Sequence, residues 1–259
     1  MDLATALNDL TISQESIPEE PSMSSFLKQI FARGAENLDA IGASAPISML
    51  EPMSALEQIS RINGAKFASI GGESELARLQ SVLSFFVDSA LVIPSHGGRK
   101  PINPIISEVF TCSYVPSGGW CADAPVHVLI EQVEHHPPIN CMRVYSNKSG
   151  AALESTQHFD FKLGKGLYFV LDNKGYAKLY LEKFKEDYNV HFPNFIILPK
   201  MSMNGTADIM ITGKMVIKSS SGLVAQIKFE EKVLKNILFL VVFKISWVFG
   251  FRIYSKAGS

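Results

Sequence analysis

Glu131-Gln132-Val133-Glu134-His135-His136-Pro137-Pro138 is the stretch on which the reading of this chain turns. Its two prolines fix φ and remove two backbone donors, so the segment is expected to lie outside the interior of a central strand. The residue before a proline is pushed toward extended backbone, which places His136 there. Adjacent side chains on extended backbone point to opposite sides, so both imidazoles can face one ligand only if the chain bends. The flanks 126–130 and 139–145 are rich in β-branched and aromatic residues and read as strands. The motif is therefore expected to be a rigid connector between two strands, with two titratable rings at its centre.

Rings so placed could bind a metal, act as bases, or cap backbone carbonyls in a structural turn. Zinc would need cysteine or histidine companions at ligand spacing, and none lies nearby. Base catalysis would need a nucleophile elbow or a Gly-rich cofactor loop, and neither is present. No enzyme activity, cofactor or metal is expected. The chain has 259 residues, 47% hydrophobic and 10% aromatic, enough for a sizeable core. Its net charge of −1 and lack of a basic run argue against a nucleic-acid partner. Cys112, Cys121 and Cys141 have no motif spacing and read as reduced thiols of a cytosolic protein. Asp2, Asp9, Glu15, Glu19 and Glu20 argue against a signal or transit peptide.

Working outward, residues 1–22 read as a flexible acidic leader, punctuated by Pro18 and Pro21. Residues 23–41 carry Phe26, Leu27, Ile30, Phe31, Leu38 and Ile41, most of them at helical spacing, with Ser24 or Ser25 as the expected N-cap and Gly34 as a weak point. Residues 46–94 read as helical. Pro52 suits a first turn, followed by Met53, Leu56, Ile59 and Ile62. Over 74–93, Leu76, Leu79, Leu83, Phe86, Val87 and Ala90 make one stripe, which Pro94 stops. From 100 to 232 short strands follow: 105–115, 125–133, 139–146, 151–163, 166–172, 176–182, 194–198, 207–218 and 223–230. Hairpin turns are expected at 116–119, 147–150, 172–175 and 219–222. This spacing points to an antiparallel barrel or sandwich. In the tail, 233–259, seven apolar residues run from 237 to 243 before Lys244, Ser246 and Arg252 interrupt. A bilayer-spanning helix needs about 20 largely apolar residues, so a tail anchor and a buried strand pair both stand open.

Taken as a whole, 131–138 resembles the fingerprint of the oxysterol-binding protein family, Glu-Gln-Val-Ser-His-His-Pro-Pro, in seven of eight positions, with Glu134 replacing the serine. Lys100-Pro101-Ile102-Asn103-Pro104 resembles that family's Lys-Pro-x-Asn-Pro segment. The resemblance covers about 23–232 and implies a mainly β (α+β) fold: a large antiparallel β-barrel, closed or left incomplete, around a lipid tunnel, with an N-terminal helical lid. It implies that Lys100, Asn103, His135 and His136 bind a phosphoinositide headgroup. Phe26, Leu27, Ile30, Phe31, Leu38 and Ile41 would then form the lid against an apolar lipid. A lysine charge, an asparagine amide and protonated imidazoles suit phosphate and inositol hydroxyls, whereas the Glu134 carboxylate is expected to repel phosphate. The implied function is lipid binding and non-vesicular transfer between membranes, with sterol or phospholipid exchanged for phosphatidylinositol 4-phosphate. The implied protein is a cytosolic monomer, peripheral on organelle membranes. The alternative is a non-transferring lipid sensor or interaction protein, attached to membranes by its tail.

Overall fold

A computed structural model of the protein describes residues 46–95, 99–115, 125–163, 168–199, 207–229 and 251–255, together with Ser22, Ser25 and Lys28. The expectations for the leader and for the lid residues Phe26, Leu27, Ile30, Phe31, Leu38 and Ile41 lie outside the described residues. Those for Cys121, the 116–119 turn and the 237–243 run lie outside them too. Ser25 and Lys28 are helical, and the hydroxyl of Ser22 accepts from the Ser25 amide at 3.1 Å. Ser25 thus lies within the helix with Ser22 capping it, and the other expected cap, Ser24, lies outside the described residues.

The N-terminal part begins with strand β1 (Leu50–Ser54), paired in parallel with β2 (Lys100–Ile102). Pro52 and Met53 therefore lie in a strand and not in the expected helical turn. Helix α1 (Ala55–Ser60) starts only after Ser54, whose hydroxyl accepts from the Leu56 amide. Ile62 falls beyond it, because Asn63 caps a new helix, α2 (Gly64–Ala68), by accepting from the Lys66 amide at 3.0 Å. Helix α3 (Glu75–Ser95) follows the expected stripe but runs one residue past Pro94. A proline in the last turn removes only one of its hydrogen bonds. Leu79, Val82, Leu83, Phe85, Phe86 and Ala90 are buried, whereas Leu76 is 42% exposed. The first turn of α3 meets the sheet through Arg78 instead.

The remaining strands form one antiparallel sheet of eleven. They are β3 (Val109–Tyr114), β4 (Val126–His135), β5 (Pro138–Ser146), β6 (Ala151–Leu163), β7 (Phe169–Asn173), β8 (Tyr176–Leu181) and β9 (Glu186–His191). Strands β10 (Asn194–Pro199), β11 (Ala207–Ser219), β12 (Leu223–Phe229) and β13 (Phe251–Ser255) complete it. The order is a simple meander once two interruptions are seen. Strand β6 pairs with β8 along 151–155 and with β7 along 159–163, so β7 and β8 are one broken strand. Strands β9 and β10 likewise share the flank of β11. Part of the tail joins the sheet, since β13 pairs with β12. The mainly β architecture expected from the sequence is thus present, with β3 and β13 at the two ends of the order.

Three expectations are corrected here. The strand expected over 105–115 begins only at Val109, because Ser107 adopts φ 63° and the Glu108 amide closes a turn onto the Ile105 carbonyl at 3.0 Å. Residues 172–175 are a kink within a strand, not a hairpin. There Lys174 bonds the His158 carbonyl, and a Cβ on Gly175 would lie 2.2 Å from the Thr156 carbonyl oxygen, so only glycine fits. Strand β9 has no counterpart among the expected strands.

One face of the sheet carries the core. Val128, Val144, Leu153, Leu179 and Tyr188 form a row across five strands, and Ile130, Met142, Ser155, Ala177, Val190, Ile217 and Ala225 form the next. These inner residues join Phe67, Phe85 and Phe86 of the helices in one cluster. The rings of Phe86 and Phe192 lie 6.0 Å apart. At the other end of the sheet, the Tyr114 hydroxyl donates to the Ser60 carbonyl at 2.8 Å, so the helices meet strands near both ends. The outer face is charged, with Lys178 3.5 Å from Asp187 and Arg143 4.0 Å from Glu154.

The breaks at 174–175 and 192–193 sit side by side, and Gly213, at φ 81° in β11, lies at the same level. Together they crease the sheet. On one side of the crease, burial alternates strictly, as in β8 and β9. On the other, the inner face is a run of apolar side chains, Phe161–Leu171–Phe195–Ile211 followed by Phe169–Ile197–Ile209.

Candidate functional site: a histidine hairpin and a polar band

The motif that opened the sequence is a tight hairpin. Strand β4 runs through His135, the turn is His136–Pro137 with a cis peptide between them, and Pro138 opens β5. Most of the motif therefore does lie in a central strand, contrary to expectation. Proline acts on itself and on the residue before it, and a proline at the first position of a strand is tolerated. The expected bend is present: the His135 and His136 rings meet edge to face, centroids 4.5 Å apart, and both residues are exposed.

A β-bulge aims the first of these rings. Gln132 opposes Asn140, Glu134 opposes Ile139, and His135 opposes Pro138, so Val133 is the extra residue. Residues three apart on a regular strand face opposite sides, and the bulge cancels that parity. His135 thus returns to the inner face beside Gln132, and its Nδ1 lies 3.2 Å from Gln132 Oε1. Glu134, in register with Ile139, belongs to the outer face. The expected repulsion between Glu134 and a phosphate on the histidines therefore acts from the far side of the strand.

Lys100 and Asn103 form the second pair. The lysine Nζ donates to Asn103 Oδ1 at 2.6 Å and to the Pro101 carbonyl at 3.2 Å. Protein atoms that displace solvent from its ammonium lower the lysine pKa. The loop after Asn103 is anchored on the histidine strand. Ser107 donates to the Gln132 carbonyl at 2.9 Å, and the Gln132 amide donates to the Glu108 carbonyl at 3.1 Å. The Glu108 carboxylate is itself taken by the Ser54 hydroxyl and the Ile105 amide. The two sequence-predicted pairs are each brought together, and Gln132 is the residue that joins their supports.

Sequence reasoning missed a polar band below the hairpin. Gln132, Asn140 and Gln157 stand in one row of the inner face, with Ser155 one row further in. Asn140 Oδ1, Gln157 Oε1 and Ser155 Oγ are buried and have no hydrogen-bond partner among the described residues. Buried polar atoms without partners are uncommon, and these face an otherwise apolar interior. The signal was available: positions 126, 128, 130 and 132 alternate inward, and the fourth is an amide. Among the described residues no group of three His, Cys, Asp or Glu side chains is placed to hold a metal. No helix of the described residues is long and apolar enough to cross a membrane.

Fold and site together define an antiparallel meander protein that lays helices against its inner face and carries a two-histidine hairpin whose strand anchors the loop after Asn103. The family model described as oxysterol-binding protein matches residues 25–239, and the chain belongs to that family. Protein kes1 of Schizosaccharomyces pombe is 33% identical over 137 residues, covering 52% of this chain and 33% of kes1. Oxysterol-binding protein-related protein 5 of Homo sapiens is 27% identical over 228 residues, covering 86% of this chain and 24% of that protein. The chain thus spans about a third or less of these curated relatives. Among solved structures, the ORD of Osh3 from Saccharomyces cerevisiae, in complex with PI(4)P, superposes with a TM-score of 0.65 at 21% identity. That match covers 83% of this chain and 54% of the Osh3 chain. The ORD of Osh1, in complex with cholesterol, gives 0.61 at 22% identity, covering 83% of this chain and 49% of that one. At these identities the likeness carries the fold.

Proposed function

We propose that the chain binds a lipid against the inner face of its sheet and transfers it between membranes, exchanging sterol or phospholipid for phosphatidylinositol 4-phosphate. The observation that carries this reading is the inner face beyond the crease. Phe159, Phe161, Phe169, Leu171, Ile197 and Ile209 are only partly buried there, so apolar surface remains for a ligand to cover. Covering it is worth about 25 cal/mol per Å². The unpartnered oxygens of Asn140 and Gln157 suit a cargo that brings a hydrogen-bond donor inside. Lys100, Asn103, His135 and His136 take a phosphorylated headgroup at the surface, and the segment with Phe26, Leu27, Ile30, Phe31, Leu38 and Ile41 closes over the apolar cargo. Ile102, Ile105 and Ile106 are exposed beside Lys100 and Asn103, which suits brief contact with an anionic bilayer. The protein works as a peripheral monomer and makes or breaks no covalent bond.

Extraction from vesicles tests this. Protein incubated with vesicles holding sterol, phosphatidylcholine and phosphatidylinositol 4-phosphate should carry lipid into the supernatant, identified by mass spectrometry. His135→Ala with His136→Ala should abolish phosphoinositide extraction and leave the circular dichroism spectrum unchanged. No extracted lipid of any kind would overturn the transfer reading in favour of a sensor. Undiminished phosphoinositide extraction by the folded double variant would overturn the headgroup assignment.

A further inference from the structure

We infer that Gln132 is a positioning residue for the anion site: its buried amide fixes the tautomer and ring orientation of His135, while its backbone anchors the lysine loop. The inference rests on the headgroup reading for its purpose but not for its geometry. Gln132 is 1% exposed and is the member of the polar band on the same strand as His135. Its Oε1 lies 3.2 Å from His135 Nδ1. A carbonyl oxygen only accepts, so Nδ1 carries the proton. The neutral ring then keeps its lone pair on Nε2, and the protonated ring turns an Nε2–H outward while Nδ1–H stays on Gln132. His135 can therefore donate to a phosphate from Nε2 only as imidazolium.

The geometry depends on the bulge. With no extra residue at Val133, Gln132 and His135 would lie on opposite faces of β4 and could not bond. The main chain of Gln132 serves the other half of the site, accepting from Ser107 and donating to Glu108. One residue thus holds the histidine through its side chain and the 103–108 loop through its peptide groups. Of the titratable groups on its own hairpin, His136 is in ring contact with His135 and Glu134 lies at the outer-face register.

Nitrogen-15 NMR of the full chain labelled at histidine, without lipid, reads the tautomer directly, with His135→Ala supplying the assignment. At a pH where the imidazole is neutral, the expected wild-type His135 has Nδ1 protonated and Nε2 bare. Finding Nε2 protonated would overturn the inference, because Gln132 would then be donating, and that measurement needs no variant to fold. Gln132→Glu keeps an acceptor in place and should keep the tautomer, whereas Gln132→Leu should lose it. An unchanged tautomer in Gln132→Leu would also overturn the inference. Flotation with vesicles containing phosphatidylinositol 4-phosphate gives the second readout: Gln132→Leu should bind about tenfold more weakly. If His135→Ala leaves flotation unchanged while the tautomer is as expected, the headgroup reading fails and the positioning contact stands.

Discussion

Glu186 sits at an inner position of β9, where a carboxylate would be costly if left alone. Arg78 grips it with two nitrogens, Nε at 2.9 Å from Oε2, and the Tyr188 hydroxyl donates to the same oxygen. Arg78 also donates to the Gly72 and Glu73 carbonyls and lies over the Phe184 ring. The hydrogen bonds from Arg78 are the main reason the Glu186 pKa is lowered, while burial and the Glu186 contact push the Tyr188 hydroxyl up. A carboxylate whose pKa is lowered on folding stabilises the fold above its unfolded pKa, about 4.3 for glutamate. That contribution is lost as pH falls through the lower folded value. Thermal melts should therefore show Glu186→Gln less stable than wild type at pH 7, with the gap narrowing toward pH 3; a constant gap would contradict this. A second prediction concerns Glu134. Its outer-face register makes it an exposed and screened charge, so Glu134→Ser should strengthen vesicle binding by no more than about fivefold. At this scale the sequence singled out Lys100 with Asn103 and His135 with His136, and the structure brings each pair into contact. The sequence was silent on the contact between Gln132 and His135, because one bulge decides which face His135 joins and bulges leave no compositional trace.

Elements were legible in proportion to how simply their burial pattern reads. Strand β6 matches its expected bounds, and α3 was visible from its stripe of Leu79, Leu83, Phe86 and Ala90. Strand β9 was invisible because its inward positions begin with Glu186 and leave only Tyr188 and Val190 as an apolar pattern, between Asp187 and Asn189. Only the distant Arg78 makes that strand possible. The 172–175 segment has the composition of a hairpin, yet the next strand continues alongside β6 instead of turning back. Two glycine variants separate close packing from backbone conformation. Gly175→Ala would press a Cβ onto the Thr156 carbonyl oxygen and should cost about 1–3 kcal/mol in chemical denaturation. At Gly222 a Cβ meets nothing within 4 Å, so Gly222→Ala carries only the penalty of φ 91°, about 1 kcal/mol. Equal losses at the two sites would show that the kink does not need the close approach.

For the whole molecule, the fold class was legible from the count of short strands, whereas the wrapping of the sheet about its helices was not. That depends on contacts such as Tyr114 to Ser60 and Phe86 to Phe192, far apart in sequence. If the inner face takes a lipid, binding must stabilise the folded chain by mass action, about 2.7 kcal/mol at a free ligand concentration a hundred times Kd. Loaded protein should melt higher than protein stripped of lipid, and Phe161→Asp, on the inner face beyond the crease, should abolish the gain. An unchanged gain in that variant would move the lipid elsewhere. Deleting residues 1–41 should shorten cargo retention in the same assay, and equal retention would remove the lid role from that segment.

The crease has a kinetic consequence. Two neighbouring strands lose their ladder at one level, at 174–175 and 192–193, beside Gly213, which keeps its pairing with Phe229, so on that flank the sheet's backbone hydrogen bonds do not form one continuous net. Opening on one side need not unzip the other, because cooperative opening follows unbroken ladders. Amide deuterium uptake should therefore fall into two classes divided at the crease. The amides of β8 and β9, backed by α3 and the Arg78–Glu186 pair, should exchange slowly. Those of β7 and β10 should exchange faster, and a lipid seated on their inner face should slow them toward the first class.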